Sequence, residues 1–179
     1  MNSKWKTLSS VVDYQNKWFK VMKNIILNKK GTEYDYFYVS LSSFVIIVAV
    51  DDQGKIALTR NYRYIVDTNQ LETPAGIIEK DEDVALAAKR ELEEETGLIA
   101  KNIKILGEFF TSNGSSDQKG YAILATDLTQ SKPHLEEFEE IEAVEFYSVS
   151  EIKIMIANNE ISDGPCLTAF LMYFSQYDL

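Results

Sequence analysis

Apolar and polar positions alternate through most of the first forty residues, as in Trp18-Phe19-Lys20-Val21 and Tyr34 to Val39. Alternation with a period of two predicts half-buried strands, and Asn28-Lys29-Lys30-Gly31 between two such runs reads as a hairpin turn. Phe44 to Val50 is a continuous run of strand-favouring residues, the pattern of a strand covered on both faces. Asp51-Asp52-Gln53-Gly54 then turns the chain into Lys55 to Arg60, expected to pair antiparallel with the run before it. Helical spacing appears only after Gly76, from Asp83 to Glu95, and Gly97 supplies a stop. Strand-like runs return at Ile103 to Thr111, Tyr121 to Thr126 and Ile141 to Tyr147. A short helix is predicted over Val149 to Ala157. A last helix begins near Asp163 as N-cap, with Pro165 in its first turn and apolar residues through Phe174. Mixed strands with a few interspersed helices suggest an α+β fold or an α/β sandwich.

Composition narrows the classes. A chain of 179 residues with 45% apolar content suits one domain, or one domain with a short N-terminal extension. The formal net charge is −10, from 28 acidic and 18 basic side chains, and no basic run is longer than a pair such as Lys29-Lys30. Such a surface repels polymeric phosphate, so a nucleic-acid partner is disfavoured. A small phosphorylated ligand is not, because bound cations can bridge carboxylates to phosphates. The single Cys166 excludes an intrachain disulfide, and its apolar surroundings in the sequence point to a buried thiol in a reducing compartment. The single His134 excludes a multi-histidine metal site. The first residues lack a signal-peptide core, and Phe44 to Val50 is too short to span a bilayer, so a cytoplasmic protein without a membrane partner is expected.

The segment from Gly76 to Leu98 carries the chemistry. At about 100° per residue, Val84, Ala88, Glu91 and Glu95 share one helical stripe, apolar in its first half and carboxylate in its second. Arg90 lies one turn from Glu94 and can pair with it. Glu91 and Glu93 to Glu95 crowd a helix C-terminus, where the macrodipole disfavours negative charge, and Glu91 and Glu95 repel at i, i+4. A bound divalent cation would remove both penalties, and hard oxygen ligands suit Mg²⁺ or Mn²⁺.

The full spacing runs Gly76, five residues, Glu82, seven residues, Arg90-Glu91-Leu92, one residue, Glu94-Glu95, one residue, Gly97-Leu98. It resembles the Nudix box at every defining position. That resemblance implies a mixed β-sheet between helices and hydrolysis of a diphosphate linked to a nucleoside. It also implies Glu91 and Glu95 as the main metal ligands, with Glu94 and the Ala75 carbonyl contributing. Arg90 and Glu82 would orient the carboxylates, and Gly76 would allow a tight turn before the helix.

Residues outside the box narrow the resemblance to ADP-ribose and related nucleoside-diphosphate-sugar pyrophosphatases. Leu71-Glu72-Thr73-Pro74-Ala75-Gly76 is similar to that group's Glu-x-Pro-Ala-Gly segment, and Asn61-Tyr62-Arg63 to its Gln-Tyr-Arg strand. By this likeness Arg63 and Glu72 are substrate-binding candidates. After the box the group carries Ser-Pro-Gly, then a Ser/Thr and a glutamate. Here the chain reads Ser112-Asn113-Gly114-Ser115-Ser116-Asp117-Gln118, and the neutral Gln118 cannot act as a base. In this group a glutamate in a loop before a late strand is implicated as base, and by that likeness the stretch Leu135 to Ile141 offers Glu139 first and Glu137 or Glu140 in reserve.

Residues 1–42 are similar to the β-strand extension that these enzymes exchange between subunits, and residues 43–179 to the hydrolase domain. A homodimer is therefore expected, with Tyr36, Phe37 and Tyr38 offering aromatic surface. The expected reaction is Mg²⁺-dependent cleavage of ADP-ribose to AMP and ribose 5-phosphate. The rival readings are GDP-mannose, ADP-glucose or a dinucleoside polyphosphate as substrate, a non-catalytic nucleotide-sugar sensor, or RNA decapping, which the acidity disfavours.

Overall fold

The computed structural model describes residues 5–131 and 141–179, apart from the side chains of 141 and 142. The chain forms two compact units: Met1–Ser42 with Phe110–Lys119, and Ser43–Phe109 with Gly120–Leu179.

The first unit is a three-stranded antiparallel meander of β1 (Lys6–Gln15), β2 (Phe19–Leu27) and β3 (Glu33–Leu41). The turn at Asn28 closes because its side-chain oxygen accepts from the backbone N–H groups of Lys30 and Thr32, while Gly31 takes a left-handed φ of 79°. Segment 110–119 is bound to β3. Val39 N–H donates to Ser115 O (2.8 Å), and the Asp117 carboxylate accepts from Ser40 Oγ (2.8 Å) and Leu41 N–H (3.1 Å).

The second unit contains β4 (Phe44–Ala49), β5 (Ile56–Arg63), β6 (Thr68–Glu72), β7 (Ala75–Ile77) and α1 (Val84–Thr96). After these come β8 (Leu98–Phe110), β9 (Lys119–Gln130), β10 (Ile141–Tyr147), α2 (Val149–Ala157) and α3 (Gly164–Tyr177). One sheet has the order β7-β4-β9-β8, with β4 parallel to β9 and antiparallel to β7, and the other has the order β10-β5-β6. Strand β4 is buried on both faces, as its unbroken apolar run predicts. Its even positions Ile46 and Val48 pack in one core with Phe170 and Ala169 of α3 and Ile152 of α2. Its odd positions Val45, Ile47 and Ala49 pack in a second core with Ala87, Ala88 and Leu92 of α1. Helices therefore cover both faces of a mixed sheet, the expected α+β sandwich.

One expectation is corrected. Lys55 to Arg60 does not form a hairpin with Phe44 to Val50; only the single bridge Val50↔Ile56 joins them. A strand has two edges, and those of β4 are occupied by β7 and β9, so β5 leaves the turn to pair with β6 and β10. Strands β8 and β9 also run longer than their sequence patterns indicate. Among the described residues, no helix is long and apolar enough to cross a membrane.

Candidate active site

Helix α1 is fixed at both ends by its own sequence. The Asp83 carboxylate accepts from the N–H groups of Ala85 (2.9 Å) and Leu86 (3.2 Å), satisfying donors that the first turn leaves open. At the other end Gly97 adopts φ 69° and donates its N–H to Glu93 O (2.8 Å). The apolar face set by Ala87, Ala88 and Leu92 anchors the helix in the core. The same stripe, continued, carries Glu91 and Glu95 inward, and each is only 7% exposed.

What these carboxylates meet explains the residues before the helix. A side-chain carbon at Gly76 would lie 2.0 Å from Cδ of Glu91 and 2.1 Å from one of its carboxylate oxygens. Glycine is thus required there by close approach: the Glu91 carboxylate occupies the space of any side chain. The next residue back, Ala75, donates its N–H to Glu95 Oε2 (3.2 Å).

Arg90 gathers the rest. Its Nε and Nη2 donate to the two oxygens of Glu82, each at 3.0 Å, in a bidentate fork. Its Nη1 donates to both Glu91 Oε1 (2.8 Å) and Glu94 Oε2 (2.9 Å), and Nη2 also reaches Ile77 O (3.0 Å). The sequence pattern foresaw only the Glu94 contact. These bonds, Glu82 foremost, raise the Arg90 pKa above its ordinary value, and Arg90 in turn holds the Glu82 carboxyl below the usual carboxylate range. Among the described residues, no three acidic, histidine or cysteine side chains stand ready-made as a metal cage; Glu82, Glu91 and Glu94 converge on Arg90. The donor set still suits a hard divalent cation. It consists of oxygens only, two of the carboxylates are largely withdrawn from water, and three carboxylates share one guanidinium.

A second polar group lies on the β5–β6 ladder, where register pairs Thr59 with Glu72 and Asn61 with Gln70. Arg63 donates through Nε to Glu72 Oε1 (2.9 Å) and Oε2 (3.1 Å), and through Nη2 to Oε2. The Arg63 side chain is 53% exposed and that of Glu72 only 8%, so a buried carboxylate is neutralised by a cation that reaches water. The contact with Glu72 raises the Arg63 pKa, with Glu95 and Asp163 adding through-space attraction. Asn61, buried beside Glu72, belongs to this group. The sequence reading missed its part, although Thr59, Asn61 and Arg63 alternate along one strand face.

Of the remaining candidates, Glu139 and its alternatives Glu137 and Glu140 lie outside the described residues, as does His134. Gln118 belongs to the other unit, where Nε2 donates to Ser42 O (3.3 Å) and Oε1 accepts from Thr111 Oγ1 (3.3 Å). Cys166 is buried, as expected, and burial pushes its thiol pKa well up, as befits an inert core thiol.

A mixed-sheet sandwich that turns a helix of carboxylates toward a glycine-cleared strand end is a setting for metal-assisted phosphate chemistry. The NUDIX domain family matches residues 41–170, and this chain belongs to that family. It is a Nudix hydrolase, and enzymes of the family generally use a divalent metal. A Bacillus subtilis protein, ADP-ribose pyrophosphatase, is 35% identical over 133 residues, covering 74% of this chain and 70% of its own length. A Bacillus methanolicus protein, the methanol dehydrogenase activator, is 32% identical over 127 residues, covering 70% and 68%. Among solved structures, an ADP compounds hydrolase superposes with a TM-score of 0.88 over 98% of this chain and 95% of its own. At 20% identity that likeness is one of fold.

Proposed function

We propose that this chain is a Mg²⁺-dependent pyrophosphatase that splits ADP-ribose into AMP and ribose 5-phosphate. The observation that carries the reading is the burial of Glu91 and Glu95 against Gly76 and Ala75, with one guanidinium among three carboxylates. The name and 35% identity of the Bacillus subtilis relative support the substrate.

In this reading Glu91 and Glu95 hold the cation, with Glu94 and the Ala75 carbonyl as further ligands and Mn²⁺ as an acceptable substitute. When bound, the cation supplies positive charge to the diphosphate and acidifies water. Arg90 and Glu82 fix the carboxylates in place. Arg63 exchanges part of its contact with Glu72 for a substrate phosphate, and Glu72 keeps the guanidinium aimed. Glu139 takes the proton of the attacking water. Residues 43–179 form the hydrolase domain of a cytoplasmic homodimer that pairs through strands of residues 1–42, where Tyr36 and Phe37 are exposed.

The test is AMP release from ADP-ribose with Mg²⁺, beside Glu95→Gln and Glu139→Gln. Rapid release by the wild type, abolished by Glu95→Gln and strongly slowed by Glu139→Gln in a folded protein, is expected. No release from a folded wild type would redirect the reading to another nucleoside-diphosphate derivative or to a sensor. Unchanged turnover in Glu139→Gln would remove that residue from the mechanism.

A further inference from the structure

Asn61 is only 8% exposed, and its Nδ2 donates to Thr59 Oγ1 (3.2 Å) and Glu72 Oε2 (3.4 Å). These two bonds fix which way round the amide lies. Turned over, its oxygen would face the Glu72 carboxylate, acceptor against acceptor. The amide oxygen is consequently left buried with no hydrogen-bond partner. Folded proteins rarely leave a buried acceptor without a donor, because its lost hydration is not replaced. The orphan also sits on the ladder that holds Arg63, which feels the charges of Glu95 and Asp163 as well as Glu72. Asn61 and Arg63 thus share the Glu72 carboxylate, three residues before the Ala75 that meets Glu95.

We propose that Asn61 reads the substrate, its amide oxygen accepting a hydrogen bond from a neutral donor on the bound nucleotide derivative. The donor is a ribose hydroxyl or the exocyclic amine of the base. The proposal rests on the ADP-ribose reading above. A neutral donor is indicated because Arg63 already balances the charge of Glu72, so a second cation has no unpaired partner there. An anion would meet a carbonyl oxygen beside a carboxylate. The amide has two tasks: its nitrogen holds Glu72 square to Arg63, and its oxygen awaits the ligand. Sites built to hydrogen-bond a substrate group discriminate strongly against analogues lacking it, since the protein partner is then left buried and bare.

The experiment crosses a deletion in the protein with deletions in the substrate. The kcat/KM of wild type and Asn61→Leu is measured on ADP-ribose, on its hypoxanthine analogue and on analogues deoxygenated at either ribose. For the wild type, one of these deletions should lower kcat/KM by about tenfold or more, and the analogue that does so identifies the donor. In Asn61→Leu the parent substrate should lose a similar factor, and the same deletion should then have no further effect. Asn61→Ser serves as a second variant in which the shorter side chain withdraws the acceptor while remaining polar. Equal penalties for every analogue in wild type and variants would overturn the proposal and leave Asn61 a packing residue. Wild type inert toward ADP-ribose would overturn the substrate reading beneath it.

Discussion

Arg90 on α1 faces three carboxylates, whereas Arg63 on β5 faces one. The first cluster is helix-borne and carries more negative charge than its guanidinium can offset. The second is strand-borne and electrically balanced. The difference separates two kinds of binding. A cluster with surplus negative charge gains free energy by taking up a cation, so it is suited to collect metal. A balanced pair gains nothing from another charge and can engage an anionic ligand only by exchanging partners, so it is suited to orientation. Both lie in the same unit, joined through Glu72-Thr73-Pro74-Ala75, so a ligand held by one is registered against the other.

The largest effect should come from the space that the helix cluster needs. Gly76→Ala places a carbon where the Glu91 carboxylate lies, and its displacement by about 1 Å should cut AMP release roughly 10²-fold. The same change should cost about 1–3 kcal/mol of folding free energy, read by thermal unfolding. Full activity in this variant would break the link between Gly76 and the Glu91 position. The surplus of charge can be tested next. In metal-free buffer, Arg90→Met should lower the melting temperature by about 5 °C, because three carboxylates lose their shared cation. Added Mg²⁺ should then raise its melting temperature more than it raises that of the wild type. An equal rise in both would remove the surplus-charge distinction.

The balanced pair should respond differently. Arg63→Lys loses the planar fork that matches Glu72 and a phosphate, so KM should rise about tenfold with kcat nearly unchanged. A fall in kcat alone would assign Arg63 to the chemical step. The smallest effect concerns Glu82, whose folded pKa is depressed by Arg90. A lowered carboxyl pKa contributes stability above the unfolded value, near 4.5, and loses it as pH falls through the folded value. Glu82→Gln should therefore be less stable at neutral pH and show a shallower acid limb below about pH 4.5, measured by unfolding at a series of pH values.

The helices were the most legible part of the sequence. Gly97 and Asp163 are local signals whose partners lie within a turn, so caps and periodicity suffice to place α1 and α3. Carboxylate spacing on α1 likewise marked a candidate site without knowledge of the rest of the fold. Strand pairing depends on distant partners. The run Lys55 to Arg60 looked like a hairpin mate for β4 because nothing local reveals that β7 and β9 already occupy its edges. Asn61 was hidden for a related reason. In sequence it is one polar residue in a strand, and only the approach of Glu72 across the ladder turns its amide and strands its oxygen.

The position of β4 has a consequence for how the molecule opens. Strand neighbours flank it on both edges, and a separate core covers each face. Exposing its backbone requires parting α1 from the sheet, or α3 from the sheet, together with a flanking strand. Amide protons along Val45 to Ala49, including Ile47 N–H bonded to Pro74 O (2.8 Å), should be the slowest to exchange with solvent in this unit. The segment presenting Ala75 and Gly76 to the carboxylates is thus tied to the most persistent strand, so the mouth of the site is lost only when that unit unfolds as a whole.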